Sequence, residues 1–218
     1  LGYQYTAPRL SLGVNLYYMK YKDQLVPTGM VNDDSNALNT NVPDSYRRGV
    51  ELSASWRATG WFTVGANATF SQNRIENYVD ALKDSPTYGK ELGDMTIAYS
   101  PDVIANAFLN FHHRGFEAVF HTQHVGKQYF TNNENDALSL DAYCVTNLNL
   151  AYTFRTRSAR SVRLGLLINN LFNAEYESNG YGYSYMNTWS GPAPVRIDEA
   201  YYFPQAPLNV LANVTVKF

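Results

Sequence analysis

The segment best suited to ligand capture is the aromatic-rich stretch from 175 to 205. Rigid rings with polar tips provide a large contact area at low entropic cost, which suits a planar chelate or a large apolar cofactor. The side chains predicted to bind ligand are Tyr181, Tyr183, Tyr185, Met186 and Trp189. The pattern is equally compatible with packing between loops and anchoring at a membrane surface. The segments 25–45 and 77–98 are the next candidates for ligand contact.

Metal binding is the second chemistry considered, and the spacing of the candidate ligands argues against it. The run 32–36 offers calcium-type oxygen ligands, but the EF-hand pattern needs Gly where Ala37 stands and Glu where Pro43 stands. Of the four histidines, His112 and His113 flank a short turn, whereas His121 and His124 are three apart on a strand and point to opposite faces. A last set of oxygen ligands is Asn132, Glu134 and Asp136. No metal site and no cofactor is predicted.

Enzymatic and nucleic-acid functions find no support in the sequence. It contains no glycine-rich phosphate loop, no His-Glu-x-x-His element and no nucleophile elbow, so no catalytic residue is predicted. A net charge of −2 and a pI near 6.1 do not match the basic surface that nucleic-acid binding needs. The single cysteine, Cys144, allows no internal disulfide.

The elements that must position these residues are long β-strands. Apolar and polar residues alternate with a period of two in several segments, so each strand has an apolar and a polar face. Clear strands are predicted at 10–19, 50–57, 62–71, 142–155, 162–172 and 210–218, less regular ones at 101–112 and 116–128, and a strand end at 1–5. No run approaches the roughly 20 apolar residues of a membrane-spanning helix. A mean hydropathy of −0.35 fits strands whose every second residue is polar.

Connection lengths identify the kind of sheet. Short turns at 6–9, 58–60, 113–115 and 156–161 alternate with long segments at 25–45, 77–98, 129–141 and 175–205. Outer-membrane barrels alternate short periplasmic turns with long extracellular loops, whereas a soluble sandwich has no reason to keep its long loops at one end. The sequence therefore predicts an all-β fold, a transmembrane antiparallel β-barrel.

The residues predicted to face the barrel interior are small, polar or charged, as expected of a wide, wet lumen. The small and polar ones are Gly13, Ser53, Gly65, Thr69, Asn147, Asn149 and Gly165. Isolated charges are predicted inward at Glu51, Arg57, Glu117 and Arg163, where they line the lumen and do not form an acid/base pair.

A family resemblance is carried by a set of short segments: 17–26 (YYMKYKDQLV), 45–52 (SYRRGVEL), 71–75 (SQNRI), 100–103 (SPDV), 125–129 (VGKQY), 168–173 (INNLFN) with Tyr176, and the ending at Phe218. Together these segments resemble the C-terminal region of TonB-dependent outer-membrane receptors. The resemblance implies a 22-stranded barrel that encloses an N-terminal plug. It also implies uptake of a scarce ligand, such as a ferric siderophore, haem or cobalamin, energised by the inner-membrane TonB complex.

The chain is expected to be the C-terminal part of such a barrel. Residues 1–218 contain strands for about a third of it, without a plug or TonB box, and the start at Leu1 reads as internal. The expected partners are outer-membrane lipid, the rest of the barrel, the plug, TonB and the ligand, whose identity the sequence leaves open. The alternatives are a small autonomous barrel acting as an adhesin or structural anchor, and a barrel hydrolase, for which no Ser-His pair can be placed.

The final strand is predicted to carry a barrel-assembly signal, formed by Val214, Val216 and the terminal Phe218. Deleting Phe218 from the full-length protein should impair assembly more than ligand binding. Surface levels of the deletion mutant, compared with wild type, measure this, and normal levels would contradict it.

Overall fold

The computed structural model describes residues 1–31, 37–82, 85–189, 191 and 193–218. Almost all regular structure in this part of the chain is β-strand. The strands are β1 (Gly2–Thr6), β2 (Leu10–Val31), β3 (Ala37–Arg57), β4 (Phe62–Ile75), β5 (Met95–Thr96), β6 (Val103–His113), β7 (Phe116–Val125), β8 (Gln128–Tyr129), β9 (Ser139–Leu140), β10 (Tyr143–Phe154), β11 (Ser161–Asn169), β12 (Glu177–Asn187), β13 (Val195–Pro204) and β14 (Asn209–Lys217). One turn of 3₁₀ helix covers Asp136–Leu138. None of the helical structure described is long and apolar enough to span a membrane.

The principal sheet is antiparallel and joins strands mostly in chain order. Its order is β1-β2-β3-β4-β6-β7-β10-β11-β14, with β5 added beside β4. The pairs β8–β9 and β12–β13 form two separate small sheets at the long-loop end. Among the described residues, β1 and β14 each pair with one neighbour, so the sheet is open at both edges. This arrangement confirms the predicted all-β antiparallel fold, although the chain does not close a barrel by itself.

Strand register divides the sheet into an apolar face and a polar face. On the apolar face, Leu12 lies opposite Ala54, and Ala54 lies opposite Ala66. On the polar face, Ser53 pairs with both Gly13 and Asn67. The register places on this polar face every residue predicted to face inward, together with the four predicted inward charges. The period-two prediction is therefore confirmed on all the long strands.

Two of the inward charges form a direct ion pair across three strands. The Arg163 guanidinium on β11 donates from both terminal nitrogens to the two carboxylate oxygens of Glu117 on β7, at 2.7 and 2.8 Å. A bidentate pair of this kind satisfies both partners. Glu51 accepts a 2.9 Å hydrogen bond from the Asn15 amide on the same face. These contacts satisfy three of the four charges with polar partners, as their position requires.

The prediction of a loop at 25–45 was wrong over most of its length. Strands β2 and β3 stay paired well beyond the apolar band, for example between Val26 and Thr40. The reason is a tertiary core in which Val26 and Val42 are buried against Ile75, Tyr78 and Ile97. These partners come from β4 and the 77–98 segment, so the pairing depends on contacts that local sequence does not reveal.

The predicted loop 175–205 contains the hairpin of β12 and β13, which rests on the 129–141 segment. Phe130 is fully buried and packs with Leu138 and Leu140. Its ring fits beneath Gly180 and Gly182, where a Cβ atom would come within 2.8 and 3.1 Å of it. Glycine at these two positions therefore permits the hairpin to dock closely on the aromatic ring.

Phe130→Ala should release the hairpin from this contact. Removing a buried phenylalanine typically costs about 3 kcal/mol, and here that loss falls on docking of the hairpin. Deuterium exchange of backbone amides in 177–204 should become faster, while the principal sheet keeps its protection. Phe172→Ala is the matched control, because Phe172 is 75% exposed. Unchanged exchange in the Phe130 variant would show that the ring does not hold the hairpin.

Candidate ligand-binding site

The β12–β13 hairpin carries its tyrosines on one side. In its register Tyr181 lies opposite Tyr201, Tyr183 opposite Glu199, and Tyr185 opposite Ile197. Because side chains alternate along a strand, these residues share one face, which we call the tyrosine face. The opposite face carries Gly180 and Gly182 and packs on the Phe130 ring. The tyrosine face is thus the side directed away from the supporting segment.

Glu199 is the centre of the tyrosine face. Its carboxylate accepts hydrogen bonds from the hydroxyls of Tyr183 at 3.0 Å, Tyr185 at 2.9 Å and Tyr201 at 2.8 Å. Three phenol donors on one carboxylate fix the orientation of three rings at once. We call Glu199 and these three tyrosines the Glu199 cluster.

Ring contacts extend the Glu199 cluster into an aromatic surface. The Tyr181 and Tyr201 rings stack with centroids 5.1 Å apart and an interplanar angle of 13°. Tyr183 stacks on Tyr201 at 6.0 Å, and Phe203 adds a tilted contact with Tyr181 at 6.2 Å. Tyr181 and Tyr201 remain 40% and 43% exposed. Their exposed ring faces provide a preformed surface for a flat or apolar group of a ligand.

Electrostatics keep this surface anionic at its centre. Hydrogen bonds from Tyr201, Tyr185 and Tyr183 hold the pKa of the Glu199 carboxyl below its usual range. The adjacent Tyr183 hydroxyl, and then the hydrogen bond to Glu199, raise the pKa of the Tyr201 hydroxyl. The Glu199 carboxylate likewise raises the pKa of Tyr185. At neutral pH the Glu199 cluster therefore combines the Glu199 carboxylate with the protonated hydroxyls of Tyr185 and Tyr201, an arrangement suited to binding and not to proton transfer.

Polar contacts on the opposite side hold the hairpin in place. The Tyr202 hydroxyl donates to the Ser139 carbonyl at 3.2 Å, and the Tyr99 hydroxyl donates to the Gly180 carbonyl at 3.3 Å. Within the hairpin, Arg196 pairs with Asp198 at 2.7 Å and donates to the Ser184 hydroxyl at 2.9 Å. The tyrosine face thus has a support of hydrogen bonds as well as apolar packing.

The structure brings together part of the predicted ligand-binding set. Tyr181, Tyr183 and Tyr185 lie side by side on the tyrosine face. Met186 lies on the opposite face, because it is one residue out of phase with the tyrosines. Trp189 follows the end of β12 and is 94% exposed, apart from the other rings.

Sequence reasoning missed Glu199, the residue that organises the site. Its signal was the alternation of Glu199, Tyr201 and Phe203 along β13, which places an acid in phase with two aromatic rings. Glycines and prolines around this stretch had indicated an irregular loop. The hairpin register then brings the acid opposite Tyr183.

The candidate metal ligands occupy separate places. The run 32–36 lies outside the described residues. Asn132 accepts from the Ala98 N–H and donates to the Pro27 carbonyl, Glu134 accepts from Thr96, and Asp136 pairs with Lys127. The described part of the chain contains no cluster of three or more side chains suited to hold a metal.

Histidines and the C-terminal residues also take defined faces. His121 pairs with Asn147 on the polar face, and His124 pairs with Cys144 on the apolar face, as their spacing predicts. On β14, Val214 and Val216 belong to the apolar face. Phe218 follows the strand and is 92% exposed. The role of these last three residues in assembly stays a prediction.

The chain was compared with a family model, with curated protein sequences and with solved structures. The family model described as "TonB dependent receptor-like, beta-barrel" matches residues 1–171, which end just before the hairpin. No curated protein sequence matches the chain. Solved structures share its fold across nearly the whole chain.

Three of these structures illustrate the similarity. The ferric yersiniabactin uptake receptor FyuA from Yersinia pestis has a TM-score of 0.68 and 19% identity, covering 100% of this chain and 29% of its own. The copper transporter OprC has a TM-score of 0.65 and 19% identity, with 98% and 30% covered. The ferric-catecholate import receptor Fiu from E. coli K12 has a TM-score of 0.63 and 17% identity, with 98% and 26% covered. The chain therefore spans less than a third of the length of these structures.

Lowering the pH should destabilise the β12–β13 hairpin, because Glu199 becomes protonated and its hydrogen bonds with the tyrosine hydroxyls weaken. Because the folded-state pKa of this carboxyl is lowered, its stabilising effect is present above its ordinary pKa of 4.5 and is lost as pH falls through the folded value. Amide exchange in 177–204, corrected for intrinsic rates, should accelerate as pH falls below 4.5. Glu199→Gln should show faster exchange at pH 7 and lose this acid dependence. An acid response that persists in the variant would assign the effect to another group.

Proposed function

The chain belongs to the TonB-dependent receptor β-barrel family, a family of outer-membrane receptors, and we propose that it forms part of the wall and extracellular loops of a receptor for ligand uptake. The observation that carries the proposal is the family match over residues 1–171. The remainder of the barrel, a plug domain and the TonB complex are the partners that this role requires. Uptake by such a receptor is binding and gated passage, without bond chemistry.

The tyrosine face is the proposed contact surface for the ligand. It lies on a connection at the long-loop end of the sheet, where the predicted barrel faces the cell exterior. Stacked rings suit a planar or apolar part of the ligand, and the Glu199 carboxylate accepts hydrogen bonds or attracts positive charge at its edge. These features favour a bulky chelate with donor groups on its periphery.

A metal chelate is the ligand class that the comparisons support. The names of the similar structures refer to ferric yersiniabactin, ferric catecholate and copper. A ferric siderophore is therefore the first class to screen, with haem and cobalamin next.

The polar face is the proposed surface for the plug. Its amide side chains, such as Asn67 and Asn106, and the Arg163–Glu117 pair offer donors and acceptors to a domain enclosed by the barrel. The open sheet favours this role over a small autonomous barrel, in which β1 would have to pair with β14.

Uptake by the complete receptor tests the proposal. Cells expressing it under iron limitation should accumulate ⁵⁵Fe from one member of a siderophore panel, and accumulation should stop when tonB is deleted. Uptake that is unaffected by the deletion would refute the proposed function. Failure with every siderophore would exclude that ligand class and direct the screen to haem and cobalamin.

The tyrosine face is tested separately, by affinity. A Tyr181→Ala, Tyr201→Ala double variant of the complete receptor should bind the transported ligand at least tenfold more weakly, because it removes the stacked rings. Tyr152→Ala is the matched control, because Tyr152 lies on the apolar face near the short turns and is 48% exposed. Equal affinity in both variants would place the ligand contact elsewhere.

A further inference from the structure

We propose that the apolar face of the sheet binds a phosphate-bearing membrane lipid at the extracellular end of β2, β3 and β4. The headgroup phosphate contacts Arg48, and an acyl chain lies in the groove beside it. This lipid site is on the face opposite to the lumen and is independent of the ligand-binding role proposed for the hairpin.

Strand register locates the site at the edge of the apolar band. The last fully apolar row across the sheet contains Leu16, Val50 and Phe70. The next row outward contains Tyr18 and Arg48. The change within one row from wholly apolar side chains to a tyrosine and an arginine marks the level where acyl chains give way to headgroups.

Burial at this level distinguishes the two faces. On the polar face, Ser45, Asn73 and Ile75 are buried beneath the 77–98 segment and its core. On the apolar face, Arg48 is exposed and Tyr18 is 62% exposed. The loops therefore cover the side that faces the lumen and leave the outward side uncovered.

The contacts of the Arg48 side chain orient its guanidinium and leave it able to bind an anion. Its Nε and one terminal nitrogen donate to the Gln72 side-chain oxygen at 2.8 and 2.6 Å. Its guanidinium lies 5.1 Å from the centroid of the Tyr46 ring, which stacks on Tyr18 at 6.4 Å. A guanidinium carries five N–H donors, so three remain for a ligand. The planar fork of these donors matches the geometry of a phosphate group.

Two nearby cations on the apolar face, Lys20 and Arg74, are already paired with carboxylates, whereas Arg48 is not. Lys20 pairs with Glu76 at 2.9 Å and lies 3.8 Å from Asp44. Arg74 pairs with Asp102 at 3.2 Å. Within the described residues, no carboxylate lies within ion-pair distance of Arg48. Its positive charge is therefore available to an external anion.

A groove runs from Arg48 into the apolar band. It has a volume of about 600 Å³, and its apolar walls include Tyr18, Val50, Phe70 and Val103. Asp102 also borders it, but its carboxylate is engaged by Arg74. A largely apolar surface groove that ends at a guanidinium, for which the described residues provide no carboxylate partner, matches an amphiphile with an anionic head. A membrane lipid is the source of such a molecule at a surface that faces the bilayer.

Titration of the complete receptor with bis-phosphorylated lipid A tests the site. Delipidated receptor in non-ionic detergent is titrated, and bound lipid is counted by native mass spectrometry. Arg48→Gln should weaken binding about tenfold, since hydrogen bonds to a charged group are lost. Val50→Trp, which fills the groove without changing charge, should weaken it as well. Wild-type receptor should bind dephosphorylated lipid A about tenfold more weakly.

The control removes the same charge from the opposite end of the sheet. Arg9 is exposed in the short turn between β1 and β2, so Arg9→Gln should bind lipid A as wild type does. Retained heat modifiability on gels verifies that each variant is folded. Equal losses in the Arg48 and Arg9 variants, or none in either, would overturn the proposal. Displacement of the lipid by millimolar inorganic phosphate would instead identify a simple anion site and exclude the lipid.

Discussion

Lipid offers no hydrogen bonds to a peptide backbone, and this constraint governs the molecule. Every N–H and C=O group that crosses the membrane must be paired with a neighbouring strand, which makes a continuous antiparallel sheet obligatory. The side chains then alternate between two environments. Leu12, Ala54 and Ala66 follow one another across the apolar face, while Gly13, Ser53 and Asn67 do so across the polar face. The same pairing leaves the edges at β1 and β14 unsatisfied, so these strands need partners in the membrane.

Beyond the membrane the constraint is relaxed, because water can satisfy the backbone, and packing decides the structure. Strands β2 and β3 continue outward because Val26 and Val42 reach a core shared with Ile75. A second core around Phe130 supports the β12–β13 hairpin. The hairpin in turn sets the Glu199 cluster, since its register alone brings Glu199 opposite Tyr183. The candidate site therefore depends first on the Phe130 core, which supports the hairpin, and then on the hairpin register, which places Glu199.

The contrast between the membrane-crossing strands and the segments beyond the membrane also explains what could be predicted from the sequence. Strands that cross the apolar band repeat every two residues, so their faces and approximate bounds follow from local pattern. The strand ends at the long loops cannot be predicted from local pattern, because pairing near Pro27 and Pro43 depends on residues more than 30 positions away in the chain. Tyr181, Tyr183 and Tyr185 were recognised by type, but their relation to Glu199 required the hairpin register. Met186 was grouped with them because, in a segment taken as a loop, the sequence does not show that Met186 and the tyrosines lie on opposite faces of a strand.

The alternation of side chains along a strand also determines which charges lie on the tyrosine face and which lie on the apolar face of the principal sheet. The tyrosine face has at its centre the Glu199 carboxylate, which accepts from three phenol hydroxyls, whereas the outward edge of β3 has the Arg48 guanidinium, which has no carboxylate partner in the described part of the chain. On β3, Arg47 and Arg48 are adjacent in sequence, yet the first donates to Asn73 on the polar face and the second to Gln72 on the apolar face. One residue of register thus decides whether a positive charge serves the lumen or the membrane. A shift of β3 by one residue would exchange these roles and move Val50 from the lipid to the lumen, so the apolar row holds both charges in place.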